Sequence, residues 1–330
     1  MGGLIMSDLE LTLACWDYDR TRPLIDGRVK PEGIKLNVEV LRPRQMFPRM
    51  LEHQEFDASE ISLASHASLI GRGNSPFVGV PVMISKIFRH SCFYVRVGSG
   101  IERPEDLRGK RVGTTQFSAT ATTFMKGMLE HEYGVKQHEM HWFMGGLDKP
   151  TETPLIPLNL PANVKLDFVP EGDTLEKMLA EDRIDALISI YIPPSFLKGS
   201  PKIKRLFPDY KQAEKDYYQK TGIFPIMHTL ALKKATWQQH PWIARSLYNA
   251  FEDARALALD ELYDTDALRL GLPWLLHHVE ELWHCFGDNW WSYGVEANRP
   301  TLTALGQYVC EQGISPRVVT PEEMYLPEFS

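Results

Sequence analysis

The chain has 330 residues, 43% of them apolar and 24% charged, an ordinary globular composition with room for two lobes of roughly 100–200 residues each. Its formal net charge of -7 excludes a general attraction to nucleic acid or to an anionic membrane surface, so an anionic ligand needs a local cationic pocket. No stretch approaches the ~18 apolar residues of a spanning helix, and no repeat or low-complexity tract points to a solenoid or to disorder.

Residues 1–10 hold neither a basic start nor an apolar run of signal-peptide length, which predicts a protein kept in the cytoplasm. Residues 11–16 read as a short apolar strand, followed by the polar loop Asp17-Tyr18-Asp19-Arg20-Thr21-Arg22. Residues 34–41 alternate Ile, Leu, Val and Val against Lys, Asn and Glu, the period of a half-buried strand. A helix follows over 43–55, with Met46, Phe47, Met50 and Leu51 on one face. Residues 58–63 make a third strand and run into a helix start at 64–70. Strand–helix–strand–helix in this order implies a parallel α/β lobe with right-handed crossovers.

Residues 77–87 and 92–97 are β-rich and flank Phe88-Arg89-His90-Ser91. A turn at 103–110 leads into a strand at 111–115, and Ser118 or Thr120 is placed to cap a helix that Gly134 ends. Further strands fit 140–144, 164–169 and 186–190, with a helix over 174–182 that turns Leu175, Met178 and Leu179 inward. Tyr191-Ile192-Pro193-Pro194 halts regular structure, residues 224–232 alternate as a strand, and helices fit 242–262, 273–286 and 301–311. The expected fold class is therefore α/β with two lobes around a central cleft. One lobe takes 1–95 with 215–330, the other is inserted as 96–214, and the crossings lie near 90–97 and 191–223.

That layout, with "IERPEDLRGKRVGTT" at 101–115 and "EGDTLEKMLAEDRIDALIS" at 171–189, resembles the type II periplasmic solute-binding proteins. A narrower resemblance covers nearly the whole chain. "RHSCFYVRVGSGIERPEDLRGKRVG", "HWFMGGLDKP", "TGIFPIMHTLALKK" and "YGVEANRPTLTALGQYVCEQG" are together similar to the 4,5-dihydroxyphthalate decarboxylases, an enzyme branch of that fold. The resemblance implies a carboxy-lyase that turns 4,5-dihydroxyphthalate into protocatechuate and carbon dioxide, an aromatic carboxylate as the small-molecule partner, and a homo-oligomer. Two other readings stay open: a binding protein that captures an anion without chemistry, and a biosynthetic protein of the thiamine-precursor type.

Non-oxidative decarboxylation of a phenolic ring needs a proton donor over the ipso carbon, a base near the hydroxyl para to it and a cation for the retained carboxylate. Histidine suits the proton work because its ordinary pKa is near neutrality. His90 and His228 are the first candidates, at the two crossings, and His66 is the third, at a helix start just past the third strand. Arg89 is the first choice for a carboxylate fork and Arg20 the second. Thr115, Gln116, Phe117, Ser118 and Thr120 surround a helix N-terminus, which favours anions through its free amides. Gly145 and Gly146 allow either a close backbone approach to the ligand or a plain turn. Glu60 and Ser62 end the third strand, where Glu60 could orient His66, act as a base or make a structural bond. There is no metal motif, phosphate loop or dinucleotide fingerprint, so no cofactor or metal is expected. A site assembled across the cleft from His66, His90, His228 and Glu60 is the one metal arrangement left open. Cys15, Cys92, Cys285 and Cys310 lack ligand spacing and read as reduced, buried thiols.

Overall fold

The computed structural model describes residues 8–149 and 160–329. Residues 1–7, most of the segment read for an export signal, lie outside the described residues, as does Pro150 at the end of the "HWFMGGLDKP" phrase. Strand β1 (Leu9–Cys15) starts two residues earlier than its apolar run and pairs in parallel with β2 (Ile34–Val40), Leu9 opposite Ile34 and Cys15 opposite Val40. At the sheet edge β2 keeps one face in water, hence its alternation. Strand β3 (Ala58–Ser62) is parallel to β1 on the other side and is buried at every position, so it does not alternate. Ser59 and Glu60 are thereby carried into the interior, where a polar group is costly unless bonded. Strand β4 (Phe77–Lys86) lies at the far edge of this sheet.

The second sheet holds β5 (Phe93–Arg96), β6 (Arg111–Thr114), β7 (His141–Met144), β8 (Lys165–Phe168), β9 (Ala186–Ile188) and β10 (Ile203–Arg205) in the order β10-β5-β9-β6-β7-β8. The four strands from β9 to β8 are parallel, while β5 runs against β9 and β10 against β5. The chain then returns to the first sheet as β11 (Ile226–Lys233), antiparallel between β3 and β4, which completes the order β2-β1-β3-β11-β4.

Two connections join the sheets. The outward one passes Phe88 and the short turn His90–Cys92. The return one contains the helix Tyr210–Thr221, which the polar stretch before Gly222 had not announced. Phe88 and Phe224, one from each connection, stack with centroids 4.6 Å apart and planes 7° from parallel, so the two crossings are tied together. Cys15 and Cys92 are buried as expected, but Cys285 and Cys310 are only partly so; all four are free thiols.

Candidate active site

The register of β11 against β4 shifts on both sides of His228, and an irregularity of this kind re-aims a side chain. On the other flank His228 lies opposite Ser62 of β3, and Glu60 is two residues back on the same face. This diagonal lets the imidazole reach Glu60, with Nδ1 2.6 Å from Oε1. Glu60 is 0% exposed and accepts two further bonds, from the Tyr18 hydroxyl at 2.8 Å and the Trp16 amide at 3.0 Å. Burial alone would raise the Glu60 pKa, but the bonds and charge of His228 and the donors Trp16 and Tyr18 outweigh it and hold the carboxyl below its ordinary value. Burial and then the Glu60 carboxylate push the Tyr18 phenol up, so it stays a donor. An ionised carboxylate can only accept, so Nδ1 carries the proton and Nε2 is the nitrogen offered to the cavity that His228 lines.

That cavity has a volume of about 760 Å³ and is walled by residues of the first sheet, of the outward connection and of the segments that follow β6 and β9 of the second sheet. Two helix starts meet on it. Ser62 caps the helix Leu63–Gly71 by accepting from the Ser65 amide. The helix Thr120–Tyr133 begins after Ala119 with no side-chain cap, because Thr120 Oγ1 is instead 2.8 Å from Ser62 Oγ and accepts from the Ala64 amide at 3.0 Å. The expected cap by Ser118 or Thr120 is thus replaced by a bond between helix starts, and Ser118, Ala119, Thr120 and Ala121 line the cavity.

Three guanidinium groups supply the local positive charge that a chain of net charge -7 needs for an anion. Arg89 stands on the outward connection, its Nη1 3.9 Å from Cys92 Sγ, and its charge acts on the Glu214 carboxyl, lowering that pKa against the larger rise from burial. Arg42 covers the Trp16 ring at 4.8 Å. Arg44 donates from Nε to the Tyr191 hydroxyl at 2.7 Å while stacking on that ring at 4.6 Å, which joins the helix Pro43–His53 to the opposite wall. Sequence reading missed Arg42 and Arg44, although a signal existed. Two cations at a helix N-terminus oppose the helix dipole, and such a placement is favourable when an anion is bound there. Phe47, Pro48, Met227 and Ile190 give the cavity an apolar wall, and Phe47 meets the His228 ring edge-on at 5.0 Å.

Of the candidates from sequence, His228, Arg89, Ser62, Gln116, Ser118 and Thr120 line this cavity. The rest are placed differently. His66 is 0% exposed, and its Nε2 meets the Met324 carbonyl at 2.7 Å, on the side of the C-terminal segment. Burial lowers its pKa, and Glu60 serves His228, not His66. His90 is 2% exposed and packed edge-on between Phe207 and Tyr217, where burial lowers it to about 4. Arg20 is held between the rings of Tyr18 and Trp291, 4.2 Å from each, and donates to the Ile84 carbonyl at 2.6 Å. It braces Tyr18 and is not part of the wall of this cavity. Thr115 and Phe117 are buried, the latter edge-on against Trp142 at 5.2 Å. A side chain on Gly145 would come within 2.5 Å of Val169, and the Gly146 carbonyl accepts from the Leu175 amide, so both serve packing and the turn. His66, His90, His228 and Glu60 therefore do not share a coordination site, and no group of three His, Cys, Asp or Glu side chains converges as metal ligands among the described residues.

A curated 4,5-dihydroxyphthalate decarboxylase of Comamonas testosteroni is 38% identical over 322 residues, covering 98% of this chain and 98% of its own length. The chain belongs to the 4,5-dihydroxyphthalate decarboxylase family. A second decarboxylase of that name, from Pseudomonas putida, is 37% identical over 66% of this chain and 84% of its own. A family model described as NMT1/THI5 like matches residues 78–149, the end of the first sheet and the opening of the second. Among solved structures, the periplasmic aliphatic sulphonate binding protein of Escherichia coli superposes with a TM-score of 0.54 at 14% identity, covering 98% of this chain and 99% of its own. This decarboxylase family member thus has the two-lobed fold of type II periplasmic solute-binding proteins. The same neighbour overturns the expectation of a cytoplasmic location, because the architecture is carried by a protein of the periplasm.

Proposed function

We propose that the protein removes one carboxyl group from 4,5-dihydroxyphthalate, releasing carbon dioxide and leaving protocatechuate. The identity shared with named decarboxylases over nearly the full length supports the reaction. One observation supports chemistry rather than capture: the imidazole of His228 faces the cavity while a buried, ionised carboxylate holds its far nitrogen.

The retained carboxylate is held by the Arg89 fork and the uncapped start of the helix Thr120–Tyr133. The leaving carboxylate lies toward Phe47, Pro48 and Met227, where it is poorly hydrated. Electrons from the hydroxyl para to it raise electron density on the ipso carbon. His228 Nε2 gives that carbon its proton, and the electron pair of the breaking carbon–carbon bond returns to the ring as carbon dioxide leaves. Glu60 stabilises the imidazolium before transfer and keeps the ring aimed; it is a positioning residue.

We take the lobes to follow the boundaries read from the sequence, 1–95 with 215–330 around 96–214, except at the first crossing. The first crossing is moved ahead of Phe93 because β5 pairs within the second sheet. Self-association through the C-terminal helices fits the exposure of Trp274 (73%) and Trp283 (47%). The direct test of the reaction follows carbon dioxide and protocatechuate from 4,5-dihydroxyphthalate with the parent protein and His228→Asn. Turnover by the parent and a loss of roughly 100-fold or more in the variant are expected. Absence of carbon dioxide from the parent protein would sink the proposal.

A further inference from the structure

We propose that the cavity catalyses a second reaction, exchange of one ring hydrogen of protocatechuate with solvent, at the carbon that loses the carboxyl group. The inference rests on the decarboxylation reading above and on the placement of His228. Protocatechuate keeps the carboxylate that Arg89 and the helix start would hold, and it keeps both hydroxyls. It therefore fits the same clamp and presents to Nε2 a hydrogen where the substrate presented a carboxylate.

The structure equips His228 to work in both directions. Its Nδ1 is bonded to Glu60 whether the ring is neutral or protonated, because the carboxylate accepts in both states. The imidazole does not need to turn between giving and taking a proton. Its side chain is 19% exposed, so Nε2 can trade its proton with water from the cavity between transfers. His66 and His90, sealed in the interior, have neither property.

The steps balance without any co-reactant besides water. A π pair of the ring takes the proton from Nε2, whose N–H pair stays on the nitrogen; the ring carbon then carries two hydrogens, and the hydroxyl oxygen para to it shares the positive charge. Either of those hydrogens returns to Nε2 as a proton, and its bonding pair restores the aromatic ring. In heavy water the imidazole carries deuterium, and the ring retains it. The same intermediate geometry with a carboxylate in place of the second hydrogen is the decarboxylation step, so both reactions share one acid and one face.

Position on the ring is part of the inference. Of the three ring hydrogens of protocatechuate, the one at the former carboxyl position is para to a hydroxyl, and it alone exchanges rapidly.

The test incubates the purified full chain with protocatechuate in heavy water and follows the three ring signals by proton NMR. Fading of the signal at the former carboxyl position, with the other two preserved, is expected. His228→Asn should slow that fading by roughly 100-fold or more, and calorimetry should show that the variant still binds protocatechuate. A parent protein that releases carbon dioxide from the dicarboxylate and binds protocatechuate, yet exchanges no ring hydrogen, overturns the inference and leaves the decarboxylation reading intact. Exchange that persists unchanged in His228→Asn also overturns it, since another group would be the acid. A parent that releases no carbon dioxide overturns both.

Discussion

Replacing Glu60 with glutamine separates the charge of the buried carboxylate from its shape. Glu60 accepts from His228, Tyr18 and the Trp16 amide. A glutamine oxygen can keep two of these bonds, but its NH2 group then faces a third donor. Either the Trp16 amide meets a donor head-on, or the amide flips and His228 must accept at Nδ1. A hydrogen bond to a charged group contributes about 1.5–3 kcal/mol, and each 1.4 kcal/mol is tenfold in rate or population. Loss of this charge-assisted bond should therefore slow the proton-transfer step roughly ten- to hundredfold. Steady-state release of carbon dioxide across pH reads the effect. We expect kcat to fall roughly ten- to hundredfold and KM to stay within about twofold. Stability gives an independent sign. The folded Glu60 pKa is below its ordinary value, so its contribution to stability is present above the unfolded pKa and is lost as the pH falls through the folded one. The glutamine variant should lack that acid-side loss in thermal melts. An unchanged kcat, or a defect confined to KM, would refute the positioning role.

Arg89→Lys keeps the charge and loses the planar fork, so KM should rise about tenfold with kcat within about threefold; a collapse of kcat at unchanged KM contradicts the clamp. His90 is lowered to about 4 by burial, so the unfolded chain takes up its proton near 6.5 while the folded chain resists until about 4. The fold should lose about 3 kcal/mol from this group as pH falls across that window, and His90→Phe should remove the loss in urea titrations while keeping turnover. The difference between parent and variant carries the test, because Glu214, raised to about 7 by burial, titrates in the opposite sense over much of the same range. Lys86 is lowered to about 7, first by burial and then by Arg255 and Arg20, and its amine meets Ser292 Oγ at 3.3 Å. Its cost to the fold is largest at pH 7 and below and fades as pH approaches 10.5, so Lys86→Met should gain about 2–4 kcal/mol at pH 7 and much less at pH 10. Equal gains at both pH values would disprove the account.

Much of this protein was legible before any folding was considered. Alternation and end signals are local, and they placed strands near 34–41 and 77–87 and the helix that Gly134 ends. The long family phrases located the decarboxylase likeness, and chain order put Ser62, Arg89, Gln116, Ser118, Thr120 and His228 beside one crevice. What those signals lack is the direction of a side chain whose partner is far along the chain. Glu60 and His228 are 168 residues apart, and only the antiparallel pairing of β11 with β3, with its irregularity at His228, brings them together. His66 and His90 stand at the right ends of the right elements, yet packing against Met324, Phe207 and Tyr217 turns both rings inward. Arg42 and Arg44 became part of the site because a helix of the first lobe reaches Tyr191 across the cavity. Local periodicity decides which face of an element is apolar; which residue it then meets depends on the docking of whole elements, and that docking is what sets His228 against Glu60.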